Sequence, residues 1–345
     1  MLTAALVESP AQLLNVIEWA DTTGEPAGQV QVFILAPTND MSRRQLRAMA
    51  VLARESGLDI AWHEPRLGGA ETARTVRALA GSLTGVGRLV IGDPFSGVIQ
   101  VVLSVVRAEE VVIVDDGTAT MEFARQWQAG ESLARWHQQA TAGQRGQIVR
   151  FARDQISASV RRRLGPGSAC RLSAFSCLPV DLGSSAVVAN TYAWTKRRFP
   201  APVVKPSADL VGTSLVETGV VDLGAYLAGV ALLAKSHGVD RYFAHRKESD
   251  VKLERIRMLG LHIVRLELPL EIGARTGSVG ARVISFPSTV VHTLPLALSD
   301  TAAEVIVCDI GEGWLSSRAA AGSDAFLRQV NSTARHRFGL AAVAC

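Results

Sequence analysis

The sequence predicts an α/β protein made of two Rossmann-like, doubly wound domains that face each other across a cleft. The chain has 345 residues, which suits two domains of about 150 to 200 residues better than one core. Short β-branched runs alternate with amphipathic segments about every 25 to 30 residues, as in doubly wound parallel sheets. Hydrophobic residues make up 48% of the chain and aromatic residues only 6%, a balance that favours helix-flanked parallel sheets over β-sandwiches.

In the first half, the apolar pattern indicates strands separated by helices with an apolar face. The strands are predicted at residues 30–35, 58–62, 88–91, 111–114 and 172–175, and the helices at 42–56, 70–83, 96–106 and 187–199. The segment 121–163 is helical in character but polar, with Trp127, Trp136, Ile148 and Phe151 as its expected buried positions.

A second series of strands and helices follows a proline-rich linker. Its strands are predicted at 210–214, 240–243, 263–266, 282–286 and 305–308, and its helices at 222–236, 250–259, 288–298 and 323–337. Pro200, Pro202 and Pro206 mark the linker. We therefore expect domains at 1–203 and 204–345, with the terminal helix free to pack back on the first domain.

The charge of the chain is mildly basic. The formal net charge is +4, too small an excess to demand nucleic-acid binding, and we expect none. Two basic runs, 161–163 and 196–198, fit solvated helix faces. The alternative for both is contact with an anionic acceptor or with the inner face of the cell membrane.

The four cysteines and the N-terminus indicate a cytoplasmic protein. The cysteines form no CxxC pair, so we expect reduced, mostly buried thiols and no metal site. Glu8 and Pro10 interrupt the N-terminal segment, which does not resemble a signal peptide. No apolar run reaches the roughly 18 residues of a membrane span.

Two adjacent carboxylates follow the last strand before the polar segment. Residues 111–114 are β-branched, which is typical of a parallel strand buried on both faces, and Asp115-Asp116-Gly117 comes directly after them. Ligands of open α/β sheets bind beyond the carboxyl ends of the strands, so both carboxylates are candidates for chemistry. The alternative is a turn that caps the next helix, since Asp-Gly is a common turn pair.

Three strand ends in the second half carry groups that suit a nucleotide-linked sugar. His245 lies two residues past a strand and could donate a proton or contact a phosphate. Ser288-Thr289 precedes a helix, where two hydroxyls and free amides could hold a phosphate. Glu271 could bridge two ribose hydroxyls. Each also has a structural interpretation, as a satisfied histidine, an N-cap or an ordinary loop carboxylate.

The order of these motifs resembles that of the bacterial sialyltransferases and polysialyltransferases, which carry an acidic-acidic-Gly, a His-Pro and a Ser-Ser or Ser-Thr motif. The resemblance spans roughly residues 30 to 320, and 43 residues separate His245 from Ser288, similar to the family's spacing. The segments 92–96 and 211–217 also resemble the family. The matching motifs are Asp115-Asp116-Gly117, His245 within 242–248, Glu271 within 269–271, and Ser288-Thr289 within 285–289.

The resemblance implies a GT-B fold and an inverting, metal-independent transfer of sialic acid, or a related nonulosonic acid, from its CMP-activated form to a glycan hydroxyl, with no further cofactor. Such transfer serves capsule or surface-glycan synthesis. The implied roles are a general base at Asp115, with Asp116 as the other candidate, an acid or hydrogen-bond donor at His245, phosphate contacts at Ser288 and Thr289, a ribose contact at Glu271, and nucleotide contacts at Gly212 and Thr213.

One position departs from the family pattern. Arg246 stands where the family has proline after the histidine, and its guanidinium could meet an anionic group of the donor. Four alternatives stay open: a UDP-sugar transferase, an epimerase, a metal-dependent transferase with Asp115 and Asp116 as ligands, and a non-catalytic nucleotide- or sugar-binding protein. The GT-B arrangement is shared by several such enzymes, so fold alone does not fix the reaction.

Overall fold

The computed structural model describes residues 1–133, 144–165 and 167–344, without the side chains of 144–153 and Glu312. The chain divides into two compact units, Met1–Asn190 and Thr191–Cys345. Trp136 lies outside the described residues, as do the side chains of Ile148 and Phe151.

The first unit contains a parallel sheet of seven strands in the order β3-β2-β1-β4-β5-β6-β7. The strands are β1 (Thr3–Val7), β2 (Val30–Leu35), β3 (Asp59–His63), β4 (Arg88–Ile91), β5 (Glu110–Val114), β6 (Arg171–Ser176) and β7 (Ala186–Ala189). The described helices are α1 (Pro10–Thr23), α2 (Asp40–Glu55), α3 (Gly69–Ser82), α4 (Gly97–Val105), α5 (Thr118–Ala129) and α6 (Gln144–Leu164).

The second unit contains a parallel sheet of six strands in the order β10-β9-β8-β11-β12-β13. The strands are β8 (Val203–Val211), β9 (Val239–Phe243), β10 (His262–Val264), β11 (Ser278–Ser285), β12 (Glu304–Asp309) and β13 (Ala342–Ala344). The described helices are α7 (Ala193–Arg198), α8 (Leu223–His237), α9 (Asp250–Met258), α10 (Leu270–Gly273), α11 (Val290–Ala297) and α12 (Ser323–Phe338), with a single 3-10 turn at Glu312–Trp314.

Both sheets confirm the predicted α/β class with two Rossmann-like halves. In each sheet the first strand of the unit is third in the order, and the strand order reverses beside it, between β1 and β4 and between β8 and β11. Ligands of such sheets bind at the carboxyl ends of the strands beside this reversal. We therefore expect ligand-binding residues in the loops after β1, β4, β8 and β11.

The N-terminal strand and helix are the main elements that the sequence interpretation missed. All five residues of β1 are buried, and the strand pairs with both β2 and β4. Ser9 caps α1 by accepting a hydrogen bond from the Gln12 N–H at 3.3 Å, Pro10 occupies the first turn, and Gly24 ends the helix in the left-handed region. These capping signals were available in the sequence.

The helix predicted over 187–199 is wrong in its first part. Residues 186–189 form β7, which extends the sheet beside β6, and only 193–198 are helical. Adjacent valines at 187 and 188 favour a strand over a helix. The polar segment 121–163 is divided between α5 and α6, and Trp127 stacks on Phe123 with ring centroids 5.7 Å apart.

The predicted boundary assigns residues 191–203 to the first domain, whereas the structure groups them with the second unit. Arg275 holds them there: its Nε donates to the Phe199 carbonyl at 2.9 Å, and the guanidinium pairs with Asp300 at 2.6 Å. The terminal helix α12 packs on α11 and β12 of the same unit. His292 Nε2 of α11, for example, lies 3.2 Å from the Val330 carbonyl oxygen of α12.

The cysteines match the expected reduced thiols only in part. Cys170 and Cys177 are free and buried, whereas Cys308 in β12 is disulfide-bonded. Among the described residues, no helix is both long enough and apolar enough to cross a membrane.

Candidate functional site

Asp115 lies at the end of β5 and is held by three hydrogen bonds. The Ser176 hydroxyl donates to Oδ1 at 2.6 Å, and the Cys177 N–H donates to Oδ2 at 2.7 Å. The side-chain amide of Asn15 donates to the Asp115 carbonyl at 2.9 Å. The residue is only 3% exposed, and burial raises the pKa of its carboxyl from 3.8 to about 6. A carboxylate with this pKa is ionised at neutral pH and can accept a proton efficiently.

Asp116 has a different environment, although it is the next residue. It is half-buried, its Oδ1 accepts a hydrogen bond from the Ser9 hydroxyl at 3.3 Å, and its N–H donates to the Thr120 hydroxyl at 3.0 Å. Gly117 follows with φ of 61° and precedes α5, a backbone conformation that glycine adopts readily. The motif thus does form a turn into a helix, and it also leaves one carboxylate buried and the other partly exposed.

Glu8 is a carboxylate at the same sheet edge that the sequence interpretation did not select. It follows β1, next to the point where the strand order of the first sheet reverses. Its Oε1 lies 2.8 Å from the Arg66 guanidinium and accepts a hydrogen bond from the Ser96 hydroxyl at 2.7 Å. Burial raises its pKa. Finding β1 in the sequence would have placed Glu8 at a strand end.

In the second unit, the β-sheet register brings three of the predicted loops together. Val211 at the end of β8 pairs with Phe243 of β9 on one side and with Ser285 of β11 on the other. Gly212-Thr213, His245 and Ser288-Thr289 therefore leave the same edge of the sheet from three adjacent strands. Neighbouring strands lie about 4.8 Å apart, so the outer two strands are about 10 Å apart.

The ring of His245 is neutral, and its tautomer follows from its hydrogen bond. The Lys247 N–H donates to His245 Nδ1 at 3.2 Å, so the ring proton lies on Nε2. Burial, together with the nearby positive charges of Arg246, Lys247 and Lys252, lowers the pKa of His245 to about 3. Without a ligand, His245 is thus neutral and presents an Nε2–H hydrogen-bond donor. Its motif implied either an acid or a hydrogen-bond donor, and this geometry favours the hydrogen-bond donor.

Ser288 and Thr289 are both partly exposed and precede α11. Thr289 occupies the N-cap position, but its side chain makes no capping hydrogen bond. The Ser288 hydroxyl lies 3.4 Å from the buried Ser285 hydroxyl. Glu271 is tied to the same helix, because its Oε1 accepts a hydrogen bond from the Thr293 hydroxyl at 2.6 Å. One oxygen of Glu271 is therefore engaged within the protein.

Gly212 and Thr213 contact a buried group of side chains that the sequence did not reveal. The Thr213 carbonyl accepts a hydrogen bond from Lys252 Nζ at 2.8 Å. A Cβ at Gly212 would lie 2.4 Å from Glu248 Oε2 and 2.5 Å from the Tyr242 hydroxyl oxygen. Glycine is needed here so that the loop after β8 can approach Glu248 closely.

Part of the basic run 161–163 serves the fold. Arg161 donates to the Trp127 carbonyl at 3.2 Å, in the last turn of α5, and to the Glu131 carbonyl at 2.8 Å. Arg163 donates to the Leu103 carbonyl at 2.7 Å. Guanidinium groups near helix C-termini satisfy carbonyls that lack intrahelical partners. In the second run, Lys196 Nζ donates to the Ser299 hydroxyl at 3.0 Å.

Within the described residues, no cluster of three or more histidine, cysteine, aspartate or glutamate side chains has metal-binding geometry.

No protein-family model matches the chain, and no curated protein matches it. Among solved structures, the chain is similar to a sialyltransferase from Photobacterium damsela, with 12% identity, a TM-score of 0.47, and coverage of 100% of this chain and 81% of that one. It is also similar to E. coli heptosyltransferase WaaC with ADP (12%, 0.41, 97% and 99%) and to Acinetobacter baumannii MurG (13%, 0.41, 100% and 86%). At these identities and TM-scores, none of the three likenesses bears on activity or substrate.

Proposed function

We propose that the protein is an inverting glycosyltransferase that moves sialic acid, or a related nonulosonic acid, from its CMP-activated form to a glycan hydroxyl without a metal ion. One observation carries the proposal: the loops with His245, Gly212-Thr213 and Ser288-Thr289 leave three adjacent strands at the point where the order of the second sheet reverses. This is the position at which doubly wound sheets bind nucleotides.

The groups at this edge suit a single phosphate. His245 presents a neutral Nε2–H donor, Ser288 and Thr289 supply two hydroxyls, and α11 directs its N-terminus towards the same loop. Preorganised donors of this kind can stabilise the charge that develops on a leaving phosphate. Since CMP leaves with one phosphate rather than two, these donors can suffice without a cation.

The remaining predicted residues have roles beside the phosphate. We propose that Oε2 of Glu271 accepts a hydrogen bond from the ribose, since Oε1 is already bonded to Thr293. Arg246, which follows His245 in the same loop, would contact the carboxylate of the acid sugar, a group that matches its bidentate guanidinium.

The transfer itself needs one proton acceptor. The acceptor hydroxyl oxygen forms a bond to the anomeric carbon as the bond from that carbon to the phosphate oxygen breaks, and CMP departs with the bonding electron pair. The hydroxyl proton passes to a carboxylate. Attack opposite the leaving group inverts the anomeric centre. His245 donates a hydrogen bond to the phosphate and does not need to lose its proton.

Asp115 is our first candidate for the base, because burial brings its pKa to about 6, closer to the operating pH than an ordinary carboxyl. Asp116 is the more exposed of the pair and is the second candidate. Asp115→Asn and Asp116→Asn separate the two, since only the true base should lose about a hundredfold or more in turnover.

Incubation of the purified protein with CMP-sialic acid and a panel of glycan acceptors tests the proposal. We expect acceptor-dependent release of CMP and a sialylated product of inverted configuration. His245→Ala removes one hydrogen-bond donor to the leaving phosphate and should lower turnover by about a hundredfold or more, whereas His336→Ala, at an exposed position of α12, serves as the control. No CMP release with any acceptor would overturn the proposal for this donor.

Thermal unfolding with CMP, UDP and ADP separates the other nucleotide enzymes from this one. A ligand present at about 100 times its Kd stabilises the fold by about 2.7 kcal/mol, and we expect CMP to give the largest shift. A larger shift with UDP or ADP would indicate a different nucleotide-sugar enzyme. CMP binding without transfer would indicate a binding protein, and loss of activity in a chelator would indicate a metal-dependent transferase.

A further inference from the structure

We infer that four buried side chains beneath the proposed phosphate site, Tyr226, Tyr242, Glu248 and Lys252, form a positioning cluster that holds the loops after β8, β9 and β11 in place for the nucleotide. This inference rests on the proposed function and names the residues that set the geometry of its donor site. None of the four is placed in contact with the substrate, so their role is to position other residues.

The cluster is a closed polar network in the core. Glu248 Oε1 lies 2.7 Å from Lys252 Nζ, and the two side chains are 0% and 1% exposed. The Tyr242 hydroxyl donates to Glu248 Oε1 at 2.5 Å and lies 2.7 Å from the Tyr226 hydroxyl. Buried charges of this kind are costly unless they are paired and hydrogen-bonded, and here both conditions are met.

Glu248 fixes the loop after β9. Its second oxygen, Oε2, accepts a hydrogen bond from the His245 backbone N–H at 2.6 Å, and the His245 carbonyl accepts one from the Glu248 N–H at 3.0 Å. These bonds hold the backbone that carries the imidazole ring. The orientation of His245 Nε2–H therefore depends on a carboxylate that itself does not face the ligand.

Lys252 fixes the loop after β8. Its ammonium group donates to the Thr213 carbonyl at 2.8 Å and lies 3.6 Å from Glu217 Oε2. Gly212 contributes by leaving room for Glu248, because a Cβ there would meet Oε2, the atom that binds the His245 N–H. The two loops are thus connected through one ion pair.

Tyr226 extends the cluster to the loop after β11. Lys252 Nζ lies 3.8 Å from the centroid of the Tyr226 ring, a cation–π contact. The same ring packs against Phe286, with centroids 4.8 Å apart, and Phe286 is two residues before Ser288. All three loops of the proposed donor site therefore contact one buried cluster.

A second ion pair in this unit joins strands β8 and β9 themselves and provides a control. Arg241 of β9 pairs with the fully buried Asp209 of β8 at 2.7 Å. These two residues are register partners within the sheet. Arg241 donates a hydrogen bond to the Ser278 hydroxyl, and Asp209 accepts one from the Gly280 N–H, so the pair is bonded to β11 and not to the loops that carry His245 and Thr213. If buried ion pairs in this unit only stabilise the fold, the two pairs should behave alike.

The test replaces each pair with apolar residues of similar size, as Glu248→Leu/Lys252→Met and as Asp209→Leu/Arg241→Met. Such replacements of a whole pair often preserve folding. For the first variant we expect the Kd for CMP, measured by calorimetry, to rise about 10- to 100-fold, the equivalent of a lost charge-assisted hydrogen bond. For the control we expect a Kd within about twofold of wild type. Unchanged CMP affinity in the first variant would overturn the inference.

Hydrogen exchange of the His245 amide gives a readout that needs no ligand. In the first variant, exchange should accelerate about tenfold or more because the bond to Oε2 is lost, while the control should leave it unchanged. Gly212→Ala, which displaces the same oxygen, should reproduce the effect if the double variant fails to fold. If wild-type protein binds no nucleotide, the proposed function fails, and the amide measurement alone decides the cluster: equal exchange in variants and wild type would refute it.

Discussion

The substitution Asp115→Asn should make the protein more stable and less active at neutral pH. The carboxyl group of Asp115 has a pKa of about 6 instead of 3.8 because it is buried. A difference of about two pH units corresponds to roughly 3 kcal/mol between the protonated and ionised forms. As the pH rises, this carboxyl group ionises in the unfolded chain before it ionises in the folded protein, so the free energy of unfolding falls between about pH 4 and pH 6. Above about pH 6, the folded protein is destabilised by the whole of this difference.

An asparagine fits the hydrogen bonds that Asp115 makes. Its Oδ1 can accept the Cys177 N–H, and its Nδ2 can donate to the Ser176 hydroxyl oxygen if the hydroxyl proton rotates away. That oxygen already accepts the Leu178 N–H at 2.9 Å and has a second lone pair. The Asp115→Asn variant should therefore exceed wild type by up to about 3 kcal/mol at pH 7 and match it near pH 4.

Urea unfolding of both proteins between pH 4 and pH 7.5 measures this difference in the transition of the first unit. Asp181→Asn, at an exposed position, is the control and should show no such trend. For catalysis, kcat/KM of wild type should rise to a plateau above about pH 6 and be about tenfold lower at pH 5. A stability difference that does not change with pH, or full activity in Asp115→Asn, would refute this account of Asp115.

Three further predictions concern the fold. Burial lowers the pKa of His292 to about 4, so the unfolded chain takes up this proton at a higher pH than the folded protein does. The free energy of unfolding should therefore drop by about 3 kcal/mol from pH 6.5 to pH 4. Urea titrations of His292→Leu should lack this drop. Arg275→Met leaves buried carbonyls unpaired and should cost the second unit about 2 to 4 kcal/mol, with faster tryptic cleavage within 196–198. Arg161→Met should cost the first unit about 1 to 2 kcal/mol, whereas Arg162→Met, at an exposed position, is the control and should leave the free energy of unfolding unchanged. Equal losses of stability in the two variants would contradict this.

The order of strands and helices could be predicted because most of them carry strong local signals. Asp222, predicted to start a helix, accepts a hydrogen bond from the Ala225 N–H at 3.0 Å, and Gly238 ends that helix in the left-handed region. Strand β1 is as long as β5 but was not predicted, because it has two alanines where β5 has a β-branched run. Its partners β2 and β4 are distant in the chain, and only pairing reveals it as a central strand.

The loops of the donor site could be predicted from the sequence, but the buried side chains that contact them could not. His245 and Ser288 follow clear strands, so their common edge follows from parallel pairing alone. Lys252 looks in sequence like an exposed residue of a charged helix, yet its ammonium group is buried against Glu248. The environment of Asp115 was equally hidden, because Ser176 and Cys177 lie at the end of β6, about sixty residues further along the chain.

A crystal structure of the protein with CMP tests the central claim most directly. The account predicts the phosphate within hydrogen-bond distance of His245 Nε2 and of the Ser288 and Thr289 hydroxyls, with the ribose at Glu271. CMP bound at another place, or at these loops with His245 turned away from the phosphate, would contradict it.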